Sequence, residues 1–220
     1  MLRSLRPLAK LRSCSRTVST LRVVESSDAA RSLALPLCFL SVTGFDSRDS
    51  SRWHAWIDRF ASKGYSSLVV DLDPELALAA STTSEHLLSA LERELVSLLR
   101  DSSASPFPPL LFASAAASLV AETYVSSHPL SGLVLDRPLA APLAHSRLPA
   151  AFKTPLAEFD YEPFFPVAVV EDAGAPSESR LASEFGGAVD DDDALVRRID
   201  VTRDDDGWRQ VMDWMDENGL

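Results

Sequence analysis

Short apolar runs alternate along this chain with longer stretches in which apolar residues recur every three or four positions. Runs at residues 36–42 (PLCFLSV), 67–71 (SLVVD), 110–112 (LLF), 133–135 (LVL) and 164–170 (FFPVAVV) have strand length and little polar content, the pattern of strands buried on both faces. Residues 195–201 close the series, and a weaker candidate strand covers residues 21–25. Between these runs, Trp53, Trp56, Ile57 and Phe60 share one face of a helical segment that ends at Lys63 and Gly64. Its candidate N-caps lie at residues 47–51. Leu87, Leu88, Leu91, Leu95, Leu98 and Leu99 form a wide stripe on a second segment over residues 82–100, opened by the capping-box spacing of Thr82 and Glu85. Two more helical segments follow, at residues 177–185 before Gly186-Gly187 and at residues 207–218 with Trp208, Val211, Met212 and Met215 on one face. Strands alternating with helices predict an α/β fold, a three-layer α/β/α sandwich around a mostly parallel sheet of about 6–7 strands.

The tightest junction lies within residues 109–138. A strand run at Leu110, Leu111 and Phe112 meets a helical segment through Ala113-Ser114-Ala115-Ala116-Ala117, and the chain returns to a second strand run at Leu133, Val134 and Leu135. Strand and helix can meet at so sharp an angle only if the side chains between them are small. This junction resembles the strand-turn-helix nucleophile elbow, G-x-S-x-G, of the α/β-hydrolase superfamily. The resemblance extends over much of the chain. It includes the Gly-Phe turn after residues 36–42, the tryptophan-bearing helix, Lys63-Gly64-Tyr65 before a strand ending in Asp71, and His128-Pro129 before the strand at Gly132.

The family pattern, laid back without gaps from His128-Pro129, puts Ala115 at the nucleophile position, with Ala113 and Ala117 on the two glycines and Ser114 just before the apex. A slip of one residue would bring Ser114 to the apex instead. The resemblance places an oxyanion loop at Thr43, Gly44 and Phe45, where threonine replaces the usual histidine. It places the acid of a triad at Asp172, and the catalytic histidine between the last strand and last helix, where this chain has Asp206. The four histidines, His54, His86, His128 and His145, all precede Asp172. An aspartate, with an ordinary pKa near 3.9, is a poor base for a hydroxyl at neutral pH. Residues 137–163 form a proline-punctuated connector where the family often inserts a cap. It is too short for a separate cap domain, so a pocket would be shallow or covered by this loop, with His145 a surface residue within it.

Composition narrows the reading further. The chain has 21 basic and 32 acidic residues, a formal net charge of −11. Residues 1–22 are rich in arginine and serine and free of acids, the composition of a mitochondrial transit peptide, with the α/β domain expected over residues 23–220. Six basic residues lie in that leader, leaving 15 against 32 acidic, a charge of −17. A body so acidic repels phosphate backbones, which argues against nucleic acid and for a basic protein partner. No apolar run reaches the length of a membrane span. With two cysteines and scattered histidines neither a disulfide framework nor a zinc site is expected, and no phosphate-loop or dinucleotide motif points to a cofactor. The aspartates at 190–193 are contiguous, unlike the alternating acids of a calcium loop. The expectation is a non-catalytic α/β-hydrolase-like mitochondrial protein, in the matrix, acting as a binding, assembly or structural subunit. The alternative is a weak serine esterase or thioesterase using Ser114, with His128 or His145 as an improvised base.

Overall fold

A computed structural model describes residues 18–26, 33–45, 51–101, 107–186, 195–202 and 204–220. The strands are β1 (Thr20–Val24), β2 (Leu33–Val42), β3 (Tyr65–Leu72), β4 (Leu110–Ser114), β5 (Gly132–Asp136), β6 (Val167–Asp172) and β7 (Val196–Val201). The helices are α1 (Ser51–Ser62), α2 (Glu75–Ala80), α3 (Ser84–Asp101), α4 (Ala117–Val125), α5 (Ala141–Arg147), α6 (Arg180–Phe185) and α7 (Asp204–Glu217). The strands form one seven-stranded sheet in the order β1-β3-β2-β4-β5-β6-β7. All neighbours are parallel except β1, which pairs antiparallel with β3 at the edge. This is the expected α/β architecture, and the described residues form no separate cap domain.

Helices cover both faces because the central strands are apolar on both. On one face α1 and α7 bury Trp53, Trp56, Ile57, Phe60, Val211, Trp214 and Met215 against Phe39, Phe112, Val134 and Val170. Phe39 and Phe112 are register partners on β2 and β4, stacked with ring centroids 4.5 Å apart, and Trp53, Trp56 and Phe60 pack edge-on or tilted against Phe112. On the other face α3 and α4 pack Leu87, Leu91, Leu95, Leu119 and Val120 against Cys38, Leu40, Leu111 and Leu133. Gly132 opens β5 in a tight place: a Cβ there would lie 2.8 Å from a methyl of Leu110 and 3.3 Å from the Pro166 carbonyl.

Several details differ from the sequence expectation. β2 begins at Leu33 and its pairing with β3 shifts register between Leu33 and Leu37. Pro36 lies in that interval and has no N–H to give to a ladder. The hydroxyl that caps α3 belongs to Thr83, accepting from the His86 N–H at 3.3 Å, one residue later than the Thr82 expected. α2 fills a stretch the pattern left blank. The connector is not irregular throughout, since α5 forms in it with a proline in the first turn, where a missing N–H costs nothing. α7 starts at Asp204 and not at Gly207, and Trp214 is more deeply buried than Trp208. Thr20, Leu21 and Arg22, counted by sequence within the basic leader, lie in β1, and Ser19 accepts a hydrogen bond from the Asp73 N–H at 2.7 Å. Residues 1–17, the candidate caps at 47–50, Gly187 and the aspartates 190–193 lie outside the described residues. No described helix is long and apolar enough to cross a membrane.

Phe112 touches both the neighbouring strand and the covering helix, so its truncation leaves a cavity that neither can close alone. Phe112→Ala is expected to cost about 3–5 kcal/mol, read as a lower urea midpoint at unchanged m-value.

Candidate functional site at the carboxyl edge of the sheet

The strand order places a crevice. After β2 the chain steps outward to β3, then returns past β2 to lay down β4 on its other side. The loops leaving β2 and β4 therefore diverge at their carboxyl ends, and such a reversal is where α/β sheets bind ligands. The residues brought to this point are Thr43, Gly44 and Phe45 after β2, and Ser114, Ala115 and Ala116 after β4.

Ala115 turns the chain from β4 into α4 with φ +43°, a left-handed conformation that costs an L-residue roughly 1–2 kcal/mol. Its N–H continues the ladder to the Asp136 carbonyl at 3.1 Å. Its carbonyl accepts from the Ser118 N–H at 3.2 Å, the Ser118 hydroxyl at 2.6 Å and the Leu139 N–H at 3.1 Å. These bonds hold the bend in place. Ser114 is the last residue of β4, in register with Asp136 and half-buried. The bend residue carries a methyl group, and the serine precedes it.

In the loop after β2, Gly44 adopts φ +79° and directs Phe45 inward. The Thr43 N–H is given to the Leu72 carbonyl at 2.9 Å and the Phe45 N–H to the Val42 carbonyl at 3.1 Å. Two of the loop's three N–H groups are thus committed to the fold. The Thr43 hydroxyl donates to Asp71 at 3.1 Å, and Ser41 donates to the same carboxylate oxygen at 3.2 Å.

The connector closes over this crevice. Phe152 is fully buried with its ring 5.5 Å from that of Phe45, and Leu139, Ala144 and Leu156 join the same cluster. Lys153 Nζ donates to the carbonyls of Leu78 (3.0 Å) and Ser81 (2.6 Å), so a cation meets the carboxyl end of α2. The Thr154 N–H donates to Ser84 Oγ at 2.9 Å, and the Ser84 N–H to Thr154 Oγ1 at 3.0 Å. The strap covering the crevice is thereby pinned at Lys153 and Thr154.

Asp172 lies at the exposed end of β6. Arg137, itself at φ +46°, forks between carboxylates, with Nη2 2.5 Å and Nε 2.7 Å from Asp172 and Nη1 3.2 Å from the buried Asp136. Asp206 is the third residue of α7, and its side chain is outside the described structure. The histidines are dispersed. His54 and His86 are exposed on α1 and α3. His128 sits beyond the far end of α4, stacked on Tyr124 and 3.3 Å from Glu92. His145 is not a free loop residue: it lies on α5 and donates from Nδ1 to the Phe152 carbonyl at 2.6 Å. Among the described residues no imidazole is hydrogen-bonded to a serine hydroxyl. Cys38 is fully buried, which pushes its thiol up to about 12 and leaves it protonated and inert. Among the described residues no group of three or more His, Cys, Asp or Glu side chains is placed to hold a metal ion. Sequence reasoning missed Arg137, Lys153 and Phe152, whose roles come from partners far away in the chain.

No protein-family model matches the chain, and no curated protein matches it. Solved structures do. The chain is similar to MGS-MChE2, an α/β hydrolase enzyme from the metagenome of sediments of the Mar Chica lagoon in Morocco, with 12% identity and a TM-score of 0.62, covering 93% of this chain and 99% of that one. It is similar to MenH from S. aureus with 12% identity and a TM-score of 0.55, covering 91% and 99%. ESTFA matches with 12% identity and a TM-score of 0.50, covering 91% and 78%. Identities this low speak for architecture, which here extends across almost the whole chain. The chain has the α/β-hydrolase fold.

Proposed function

We propose that this protein is a non-catalytic α/β-hydrolase-like binding or assembly subunit. The observation that carries the reading is the alanine at the left-handed bend after β4. That conformation holds a nucleophile clear of the sheet in α/β-hydrolases, and a methyl group has no lone pair with which to attack a carbonyl. Ala115 is thus the vestigial nucleophile position, and Thr43, Gly44 and Phe45 are the remnant of the oxyanion loop. Three further facts support it. The N–H groups of Thr43 and Phe45 serve the backbone. Asp172 engages a guanidinium, which cannot act as a base at neutral pH. Among the described residues no imidazole is hydrogen-bonded to a serine hydroxyl, the contact that activates the nucleophile in a Ser-His-acid triad. Asp206 stands as the vestigial histidine position by chain order alone.

The proposal extends to location and partner. The basic, acid-free leader supports mitochondrial import, into the matrix, and the acidic body supports a basic protein partner over nucleic acid. A cut beyond Ser19 would remove part of β1, so processing is proposed before that point.

A fluorophosphonate probe is expected to leave the protein unlabelled, and Ala115→Ser unlabelled as well, because the variant restores a hydroxyl but no base. Labelling of the wild type that disappears in Ser114→Ala would overturn the inactive reading. Ala115→Gly, which removes the Cβ from a positive φ, is expected to raise stability by up to about 1 kcal/mol in urea titration. Affinity purification from mitochondria is expected to return a stable partner whose release follows rising salt. A chain that elutes alone from mitochondrial extract argues against a subunit role.

A further inference from the structure

The amino edge of the sheet, opposite the crevice, carries an apolar row. Phe164, three residues before β6, is 80% exposed, the most exposed large apolar side chain among the described residues. Its neighbour Phe165 turns into the core, and the two rings meet edge-on with centroids 5.4 Å apart. Leu195, 43% exposed, precedes β7, and its carbonyl accepts from the Val167 N–H at 2.7 Å, which sets it beside the start of β6. On the other side, the Pro166 carbonyl accepts from the Leu133 N–H at 3.1 Å. There the half-buried Leu220 reaches over the start of β5, its Cδ1 3.1 Å from where a Cβ on Gly132 would stand. Leu220, Phe164 and Leu195 thus stand at the ends of three adjacent strands, a row about 10 Å long at the usual strand spacing. Pro163 and Pro166 flank the two phenylalanines and have no N–H to offer, so recognition here falls to side chains and not to a strand ladder.

The border of the row is acidic. Glu162 is exposed two residues before Phe164, and Asp216 and Glu217 close α7 just before Leu220. Glu184, near the end of α6, lies two residues before Gly186, which bridges to Val196 beside Leu195. Arg180 and Arg197 answer Glu184 and Glu217, which leaves Glu162 and Asp216 as charge facing solvent. We propose that this row is where the protein docks its partner, and that the partner presents a basic amphipathic helix. Apolar positions i, i+4 and i+7 of a helix span about 10 Å, the length of the row. Lysines or arginines beside them meet the carboxylates of the border. A second copy of this chain fits poorly, since it brings the same carboxylates against these. The docking role rests on the subunit reading above and gives it a surface remote from the crevice.

Fluorescence anisotropy of the purified full chain with a labelled helical peptide of leucine, lysine and alanine, its leucines on one face, tests the surface. The peptide is expected to bind the wild type, and the double variant Phe164→Ser, Leu195→Ser about tenfold more weakly. Both side chains are exposed, so the double variant is expected to keep the wild-type urea midpoint. Glu162→Lys leaves the apolar row whole and is expected to weaken binding about threefold and to flatten its salt dependence. A peptide that fails to bind, or binds the wild type and the double variant equally, overturns the surface. Should the double variant unfold, Glu162→Lys decides: unchanged affinity and salt dependence overturn it. A dimer of the free chain in sedimentation that the double variant abolishes overturns the basic helix as occupant. The partner recovered from mitochondria separates this surface from the subunit role. Equal recovery by the wild type and the double variant removes the surface and leaves the role standing, and recovery by the wild type alone supports both.

Discussion

The parallel pairing of β2 with β4 is the contact on which the carboxyl edge of this molecule depends. Skipping from β3 back across β2 makes two loops diverge, and it does so only because β2 and β4 are apolar enough to lie buried under helices on both faces. Stacking of Phe39 on Phe112 sets one strand against the other, with Trp53, Trp56 and Phe60 closing around them. The position of the bend at Ala115 follows from where β4 ends in that register. Small residues around it let α4 start against the sheet, and side chains of ordinary size there would push the helix away.

The bend is maintained by bonds to its backbone. Ala115 keeps a conformation that opposes folding by roughly 1–2 kcal/mol, a cost offset by donors from Ser118 and Leu139 that converge on its carbonyl. Leu139 belongs to the connector, so the elbow and the strap above it are fastened to one another. Lys153 on the α2 carbonyls and the reciprocal Thr154–Ser84 bonds fasten the strap further along. The crevice at the strand reversal is thereby filled by Phe45, Phe152 and their neighbours from within the chain itself.

Two buried glutamates show how environment assigns different roles to one residue type. Glu171, 7% exposed, accepts from the Ser177 hydroxyl at 2.7 Å and has Arg198 Nε 3.0 Å away. A hydroxyl and a guanidinium thus meet its carboxyl. Glu122, almost equally buried on α4, has its carboxyl pushed up by burial. The difference lies in the surroundings, since the two residues are chemically identical.

The amino-acid pattern by itself determined the order of strands and helices, the parallel sheet, the Trp53–Phe60 and Leu87–Leu95 faces and the site of the sharp turn. Each of these rests on local periodicity or side-chain size, which a single sequence displays. It left α2, α5 and the first turn of α7 unassigned, because these are short and their apolar positions too few to show a period. It left open whether Ser114 or Ala115 occupies the bend, since both are small and a one-residue shift changes no composition. Only the tertiary structure decided that, through the register that ends β4 at Ser114 and gives the positive φ to Ala115. The same holds for Arg137 on Asp172 and Lys153 on α2. Each depends on groups brought together from distant parts of the chain, and no local pattern records which partners a side chain will meet.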